Sequence, residues 1–308
     1  MTAKIIPFNA YRMQVNGNEI GQSQDNGIRI SEFQPEYLKY AEGVYTPKTV
    51  KHFRTAFREF IRIAGDVPVA SIGIRQVESF LAEKKAEASP WTAAKYYAAL
   101  SSAWSTAVRW GYIESNIFER IKKPATYESS PAYFSRDEFN TLISVITDEP
   151  FLDLIKTAVY TGLRLNEILN LRWDHVDFND RVIRIQNTEE FKTKNKKNRV
   201  VPMNDTVRFI MEKKSRTRKC AYVFSKNGRQ LGECGVSKRF KRHVRKSGLS
   251  DKLRFHSLRH TCATWLIKAG VPIYEVQLIM GHTNISTTER YLHLTASDLH
   301  SSMGKIDM

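Results

Sequence analysis

The sequence predicts a mainly α-helical protein with a small antiparallel β-sheet, divided into an N-terminal helical domain and a C-terminal α+β domain. Three observations predict this fold class. Apolar residues recur at helical spacing from about residue 31 to residue 121. A segment with two prolines, IKKPATYESSPAYF, then interrupts the pattern. Beyond it, the β-branched segments VIRIQ and RVVPM flank the basic stretch FKTKNKKN, which is typical of a hairpin with a basic tip.

The N-terminal region divides into an arm and a helical bundle. Residues 1–30 are polar and have no sustained period, so we expect a flexible arm. In residues 31–121, Thr46 before Pro47 is a helix-start signal, and Gly65 closes the apolar pattern that follows. RQVESFLAEKKAEA and PWTAAKYYAALSSAWSTAVRWG predict two further helices in a bundle of about four. The aromatic residues of this bundle favour core packing over base stacking at any single position.

The C-terminal region is predicted to begin after a linker, residues 122–134. The domain spans residues 135–295, and Ser135 with Glu138 forms a capping-box pattern at its start. YVFS predicts a short strand. Three helices are then expected in FHSLRHTCATWLIKAG, VPIYEVQLIMGH and STTERYLHL, the first two closed by Gly270 and Gly281.

The charge balance indicates a polyanionic partner. Lys and Arg total 48 against 32 Asp and Glu, giving a formal net charge of +16 and a pI near 9.7. A merely soluble basic protein is the plainer interpretation of such a surplus. The basic residues are spread along the chain rather than along one amphipathic helix, which argues against a lipid surface.

The cysteines and the hydropathy pattern limit the cellular compartments that are expected for this protein. No run of eighteen apolar residues or secretory signal is visible, so neither a membrane span nor secretion is expected. Three cysteines without a CxxC pair fit a reduced cytoplasmic protein that has neither a disulfide framework nor a thiolate metal site.

Several candidate chemical groups lie in the second domain. TGLRLNEILNLRW places Arg164 and Glu167 three residues apart, so they are neighbours on a helix face. HSLRH places His256 three residues before Arg259. His282 follows a helix stop in GHTN, and Tyr291 lies nine residues later in TERYLH. Singly, each fits a surface ion pair or ordinary packing.

Together these groups satisfy the needs of phosphodiester cleavage without a metal. Negative charge builds on the non-bridging oxygens of the attacked phosphate, and planar guanidinium groups match that geometry. A tyrosine nucleophile must lose a proton, and the leaving 5′ oxygen must gain one, so a base and an acid are needed nearby.

The order and spacing of TGLRLNEILNLRW, HSLRH and LIMGHTNISTTERY resemble those of the tyrosine recombinase (phage integrase) family, over nearly all of the chain from Ser31 onward. The resemblance implies that Arg164 and Arg259 clamp the scissile phosphate and that Tyr291 attacks it. It further implies that His256 is a general acid/base, that His282 hydrogen-bonds the phosphate, and that Glu167 supports the site.

A lysine of the predicted hairpin would protonate the leaving 5′-hydroxyl. Lys192, Lys194, Lys196 and Lys197 are candidates. The family pattern places this lysine eight residues before the proline of the return strand, and Pro202 is eight residues after Lys194. Lys194 is therefore the choice, and Lys192, on the same strand face, is the alternative.

The resemblance also implies the working assembly. The helical domain would bind core-site DNA, and four protomers would exchange strands of two duplexes through a Holliday junction. The C-terminal segment, residues 296–308, would dock on a neighbouring protomer. No cofactor, a nucleoid-associated cytoplasmic location and an accessory protein or partner recombinase are expected. The short N-terminal arm favours the two-domain, Xer-like form, with a small mobile-element integrase as the alternative.

Three other functions fit parts of the pattern. His256, His260 and His282 could bind zinc in a metallohydrolase, but Arg259 would place a cation beside the metal, so His260 is better interpreted as packing or support. A DNA-binding protein without catalysis would need neither the tyrosine nor the histidines. A type IB topoisomerase shares the nucleophile chemistry and differs in relaxing supercoils without paired sites.

Overall fold

The computed structural model describes residues 27–126, 130–187 and 198–291. The chain divides into two compact units that meet in sequence between residues 128 and 129. The first is all helical, and the second combines helices with two small antiparallel sheets. The predicted fold class is therefore confirmed. No helix among the described residues is long and apolar enough to cross a membrane.

The first unit is a four-helix bundle around an aromatic core. Its helices are Ile30–Val44 (α1), Pro47–Ala64 (α2), Ile74–Glu87 (α3) and Pro90–Arg109 (α4). The hydroxyls of Thr46 and Ser89 accept from backbone N–H groups in the first turns of α2 and α4, each of which begins with a proline. Trp104 is buried against Phe57, Phe60 and Phe118, so these aromatic rings serve packing, as expected.

The second unit contains eight helices among its described residues. They are Arg136–Ser144 (α5), Glu149–Thr161 (α6), Leu165–Leu169 (α7), Asp205–Ser215 (α8), Glu233–Lys246 (α9), Phe255–Lys268 (α10), Ile273–Met280 (α11) and Ser286–Glu289 (α12). The Ser135–Glu138 capping box is present at the start of α5. α6 lies at the centre of the unit and packs against α8 and α10.

The strands form two separate sheets. The first has the order β1–β2–β3, with strands Val176–Asp177, Val182–Ile185 and Arg199–Pro202. β2 and β3 pair antiparallel, with Ile183 opposite Val201, as the hairpin prediction required. β4 (Ser225–Lys226) and β5 (Arg229–Gln230) form a tight hairpin. β1 and β5 were not predicted, because strands of two residues carry too little alternation to be visible in a sequence.

Two boundaries differ from those predicted. Phe134, the last residue of the predicted linker, is completely buried in the core of the second unit. Its N–H donates to Thr261 Oγ1 (2.9 Å), and its carbonyl accepts from Trp265 Nε1 (3.1 Å). In the predicted strand YVFS, only Ser225 lies in β4, and Tyr222 forms an isolated bridge with Arg172.

Candidate active site

A buried carboxylate organises one side of the candidate site. Glu167 is 3% exposed, and its Oε1 accepts from Arg164 Nη1 at 2.9 Å. Oε2 accepts from the backbone N–H of Arg164 at 2.9 Å. The turn at the start of α7 therefore fixes both partners, and the predicted contact between Arg164 and Glu167 is present.

A second arginine completes this ion pair from the sheet. Arg199, the first residue of β3, donates through Nη1 to Glu167 Oε1 (3.0 Å) and through Nη2 to Oε2 (2.6 Å). Its Nε donates to the Ile279 carbonyl at 3.1 Å. Burial of Glu167 raises the pKa of its carboxyl, but Arg199 and Arg164 outweigh burial and lower the pKa to about 2. Glu167 is therefore ionised at neutral pH.

Arg259 on α10 is held by carbonyl groups. The residue is 3% exposed, its Nη1 donates to the Gly162 carbonyl (2.7 Å), and its Nη2 donates to the Met280 carbonyl. These oxygens belong to the ends of α6 and α11, where the helix dipole is negative. Within the described residues Arg259 has no salt-bridge partner, so its charge stays available to an anion. Burial, followed by repulsion from Arg164, lowers the pKa of Arg259 to about 9.

Two glycines allow the helix ends to come this close. Gly162 (φ +62°) and Gly281 (φ +63°) both have the left-handed conformation. A Cβ on Gly162 would lie 2.6 Å from Met280 Sδ, and one on Gly281 would lie 2.7 Å from Arg199 Cδ. The carbonyl of Gly281 also accepts from Arg164 Nη2 at 3.4 Å.

Tyr291 lies at the end of the described chain and is 3% exposed. Its hydroxyl is 2.6 Å from His260 Nδ1. Burial raises the pKa of the phenol, whereas the positive charge of Arg259 lowers it. The described hydrogen-bond contact of the Tyr291 hydroxyl is therefore with His260.

The other two histidines, His256 and His282, make different contacts. His256 is exposed, and its ring meets that of His260 edge to face, with 4.7 Å between centroids. His282 directs Nδ1 to the hydroxyl of the buried Thr288 at 2.8 Å. Burial, followed by repulsion from Arg259 and other cations, lowers the pKa of His282 to about 3. His282 is therefore neutral at physiological pH.

The chain matches known proteins along most of its length. A family model described as the phage integrase family matches residues 133–298. A tyrosine recombinase of Thermosipho africanus is 30% identical over 289 residues, which cover 90% of this chain and 99% of that protein. The chain belongs to the phage integrase family. The enzyme is also 27% identical, over 293 residues, to the tyrosine recombinase XerC of Oceanobacillus iheyensis, with 88% of this chain and 93% of that protein covered.

Solved integrase structures share the fold of this recombinase. A lambda integrase dimer bound to a core site superposes with a TM-score of 0.76 at 18% identity, covering 86% of this chain and 95% of that chain. A lambda integrase tetramer bound to a Holliday junction gives a TM-score of 0.74 at 19% identity, covering 90% and 85%. The enzyme is a site-specific recombinase.

The recombinase structure gathers most of the predicted site residues. Arg164, Glu167 and Arg259 are linked through the ends of α6 and α11, and Tyr291 is linked through His260 to α10, which also carries Arg259 and His256. The candidate lysines, including Lys192 and Lys194, lie outside the described residues. Sequence reasoning missed Arg199 and Thr288, and it gave His260 no part in the chemistry. The spacing of four residues between His256 and His260 was the one available signal for the last.

The zinc alternative is not favoured by this arrangement. His260 and His282 direct their Nδ1 atoms to different hydroxyls, those of Tyr291 and Thr288. Over residues 27–126, 130–187 and 198–291, no group of three or more His, Cys, Asp or Glu side chains could hold a metal ion.

Proposed function

We propose that the enzyme cleaves and rejoins double-stranded DNA at core sites through a covalent link between Tyr291 and the 3′ phosphate. The observation that supports this most directly is the electrostatic environment of Tyr291. A tyrosine hydroxyl contacts an imidazole at 2.6 Å, and the positive charge of a carbonyl-bound guanidinium, Arg259, opposes the rise that burial causes in the phenol pKa. These are the groups that a phenol needs in order to attack a phosphodiester.

The remaining groups receive roles by the same chemistry. Arg164 and Arg259 would bind the non-bridging oxygens, where guanidinium donors match the developing charge. Glu167 and its partners would hold Arg164 in place. His282, oriented by Thr288, would donate a hydrogen bond to the phosphate, and His256 would act as a general acid/base. Lys194 would protonate the leaving 5′ oxygen.

The assembly follows from the likeness to lambda integrase. That protein is known as a dimer on a core site and as a tetramer on a Holliday junction. We infer that this enzyme likewise acts as a tetramer on paired DNA sites, with residues 31–121 binding the core duplex and residues 135–295 forming the catalytic domain. Residues 296–308 would dock on a neighbouring protomer. An accessory protein or partner recombinase, and association with the nucleoid, belong to the same proposal.

The test is capture of the covalent intermediate. A core-site duplex from the DNA flanking the gene, nicked so that the cleaved strand diffuses away, should give a protein–DNA adduct that survives denaturant. Tyr291→Phe should abolish the adduct and retain DNA binding. Tyr274→Phe is the matched control, because Tyr274 is 62% exposed on α11 and should behave as wild type. An undiminished adduct in Tyr291→Phe would refute the assignment.

A further inference from the structure

The contact between His260 and Tyr291 joins two groups that are 31 residues apart in the sequence. His260 Nδ1 lies 2.6 Å from the phenolic oxygen, a short hydrogen bond between a partly buried imidazole and a buried phenol. His260 lies on α10, and two hydrogen bonds join this helix to the backbone of Phe134. Thr261 Oγ1 accepts from the Phe134 N–H, and Trp265 Nε1 donates to the Phe134 carbonyl. A fixed backbone therefore holds the imidazole against the hydroxyl.

The surroundings of His260 keep its imidazole neutral. Burial is the largest cause, and repulsion from ionisable neighbours, including the cations Arg259 and Arg290, acts in the same direction. Together they lower the pKa of His260 to about 3. A neutral imidazole can present an unprotonated Nδ1 to a phenol and accept its proton, whereas an imidazolium cannot.

We propose that His260 is a further catalytic residue, the group that receives the proton of Tyr291 when the tyrosine attacks DNA. This inference rests on the proposed function and deepens it, since it adds His260 to the residues that act on the nucleophile. His256, whose exposed ring contacts that of His260, would assist as a general acid/base from beside the acceptor.

The step balances without any further reactant. The O–H bond of Tyr291 breaks and an N–H bond forms at His260 Nδ1. The phenolate oxygen bonds to phosphorus, the bond from phosphorus to the 5′ oxygen breaks, and that oxygen takes a proton from the general acid. Rejoining runs the same transfers backward, and His260 returns its proton to Tyr291.

Because His260 is a weak base in the DNA-free protein, the proton transfer from Tyr291 depends on bound DNA. Protonation adds a positive charge beside Arg259, so it is unfavourable while the site contains no anion. A bound phosphate supplies negative charge and raises the pKa of nearby imidazoles. Tyr291 therefore becomes a nucleophile only when DNA is bound, and the phenol stays protonated in the DNA-free enzyme.

The experiment compares His260→Asn with a more acidic nucleophile. Asparagine can still form a hydrogen bond with Tyr291 but cannot accept its proton near neutral pH. We expect single-turnover cleavage to fall by about 10²–10⁴ with DNA binding retained, the usual size of a general-base contribution. The rate of the variant should rise with pH into the range where phenols ionise. Fluorotyrosine at position 291, whose phenol ionises at lower pH, should restore about tenfold per unit of acidity gained.

His256→Asn is the matched control, and fluorotyrosine should not restore its activity. If His260→Asn cleaves at the wild-type rate, or if its defect is indifferent to pH and to fluorotyrosine, His260 only packs and the inference is wrong. If fluorotyrosine restores His256→Asn instead, the role belongs to His256. Failure of the proposed function is a separate result, because it would appear as an adduct in Tyr291→Phe.

Discussion

At the scale of single residues, the site depends on how one carboxylate is shared. Glu167 binds Arg164 and Arg199 with both oxygens at 2.6–3.0 Å. It is almost completely buried, and removing one partner of a buried ion pair leaves a charge that neither water nor protein compensates. Arg199 therefore supports the orientation of Arg164, although it lies 32 residues away from Glu167.

The prediction for this pair concerns stability and acid sensitivity. Arg199→Met should lower the free energy of unfolding by about 3–5 kcal/mol, as for other broken buried pairs. Arg208→Met is the matched control. Arg208 pairs with Glu212 on the surface of α8, with side chains 38% and 37% exposed, so that loss should stay below about 0.5 kcal/mol. Equal losses in urea denaturation would contradict the predicted role of Arg199.

Protonation of Glu167 gives the sign of the pH effect. Its pKa is depressed to about 2, so its contribution is fully present above the unfolded value near 4.5 and is lost as pH falls toward 2. Without Arg199, the pKa of Glu167 in the folded state should rise, because only Arg164 then counteracts the effect of burial. The acid unfolding of Arg199→Met should therefore begin at higher pH than that of the wild type.

Sequence reasoning found the residues that lie close together in the chain. The spacing of three residues between Arg164 and Glu167 was enough to predict their contact. Arg199 adjoins a stretch crowded with lysines, where nothing distinguishes one buried cation from solvated ones. The contact between His260 and Tyr291 depends on how α10 packs near the chain segment after α12, and tertiary packing of this kind has no local signature.

At the scale of elements, helix ends build the site. The carbonyls that hold Arg259 belong to Gly162, after α6, and to Met280, the last residue of α11. Helix starts and stops were predictable, since Gly270 and Gly281 follow the final residues of α10 and α11 closely. That two of these ends converge on one guanidinium was not predictable from the sequence.

A glycine pair separates backbone strain from crowding at such an end. Gly162→Ala and Gly270→Ala both place a side chain at positive φ, which costs about 1–2 kcal/mol. A Cβ at Gly270 meets nothing within 4 Å, whereas one at Gly162 would be 2.6 Å from Met280 Sδ and 3.2 Å from Cys262 Sγ. We expect the free energy of unfolding, measured by urea denaturation, to fall by about 1–3 kcal/mol more in Gly162→Ala than in Gly270→Ala. Similar losses in the two variants would show that the core adjusts freely around Met280.

The base of the predicted basic hairpin is well defined. Asn198 Oδ1 accepts from the backbone N–H (3.0 Å) and from Nδ2 (3.1 Å) of Asn187, where the chain leaves and re-enters the described residues. β2 and β3 continue the pairing below these asparagines. Lys192 and Lys194 belong to the sequence between these two asparagines, outside the described residues, and Asn198 directly precedes Arg199 of the Glu167 ion pair.

The general acid can be identified chemically. An acid is required because an alkoxide is a poor leaving group, so a substrate with sulfur at the 5′ bridging position should cleave well without one. Lys194→Ala should be slow on ordinary DNA, by about 10²–10⁴, and should recover on the sulfur substrate. Lys192→Ala should show neither effect. Recovery of Lys192→Ala instead would assign the acid to Lys192.

At the scale of the whole molecule, two partly buried neutral histidines, His260 and His282, make the fold sensitive to acid. The pKa values of His260 and His282 are both lowered to about 3, and burial is the first cause for each. An unfolded chain protonates these imidazoles near pH 6.5, so the unfolded state binds more protons between pH 6.5 and 3. Their contribution to stability is complete above that window and is lost as pH falls through it.

The expected slope is measurable. His260 should contribute up to about 1.4 kcal/mol per pH unit to the decline of the unfolding free energy, and His282 should contribute less, because solvent screens its charge. Urea denaturation at several pH values between about 7.5 and 5 would measure it, at constant ionic strength. In His260→Asn, the number of protons that the chain takes up on unfolding in this pH range should fall by about one, and the slope should decrease accordingly. An unchanged slope in that variant would contradict the burial of a neutral imidazole.

The carbonyl-held guanidinium has a thermodynamic consequence for the DNA-free enzyme. Arg164, Arg199 and Arg259 interact with a single carboxylate, that of Glu167, and burial followed by repulsion from Arg164 lowers the pKa of Arg259. Any small oxyanion that occupies the cleft relieves this repulsion and binds only the folded state. Sulfate or phosphate at ten times its dissociation constant should add about 1.4 kcal/mol to the unfolding free energy. Stability measured in phosphate buffer will therefore exceed that measured in a buffer without oxyanions, and the difference reports occupancy of the phosphate clamp in the absence of DNA.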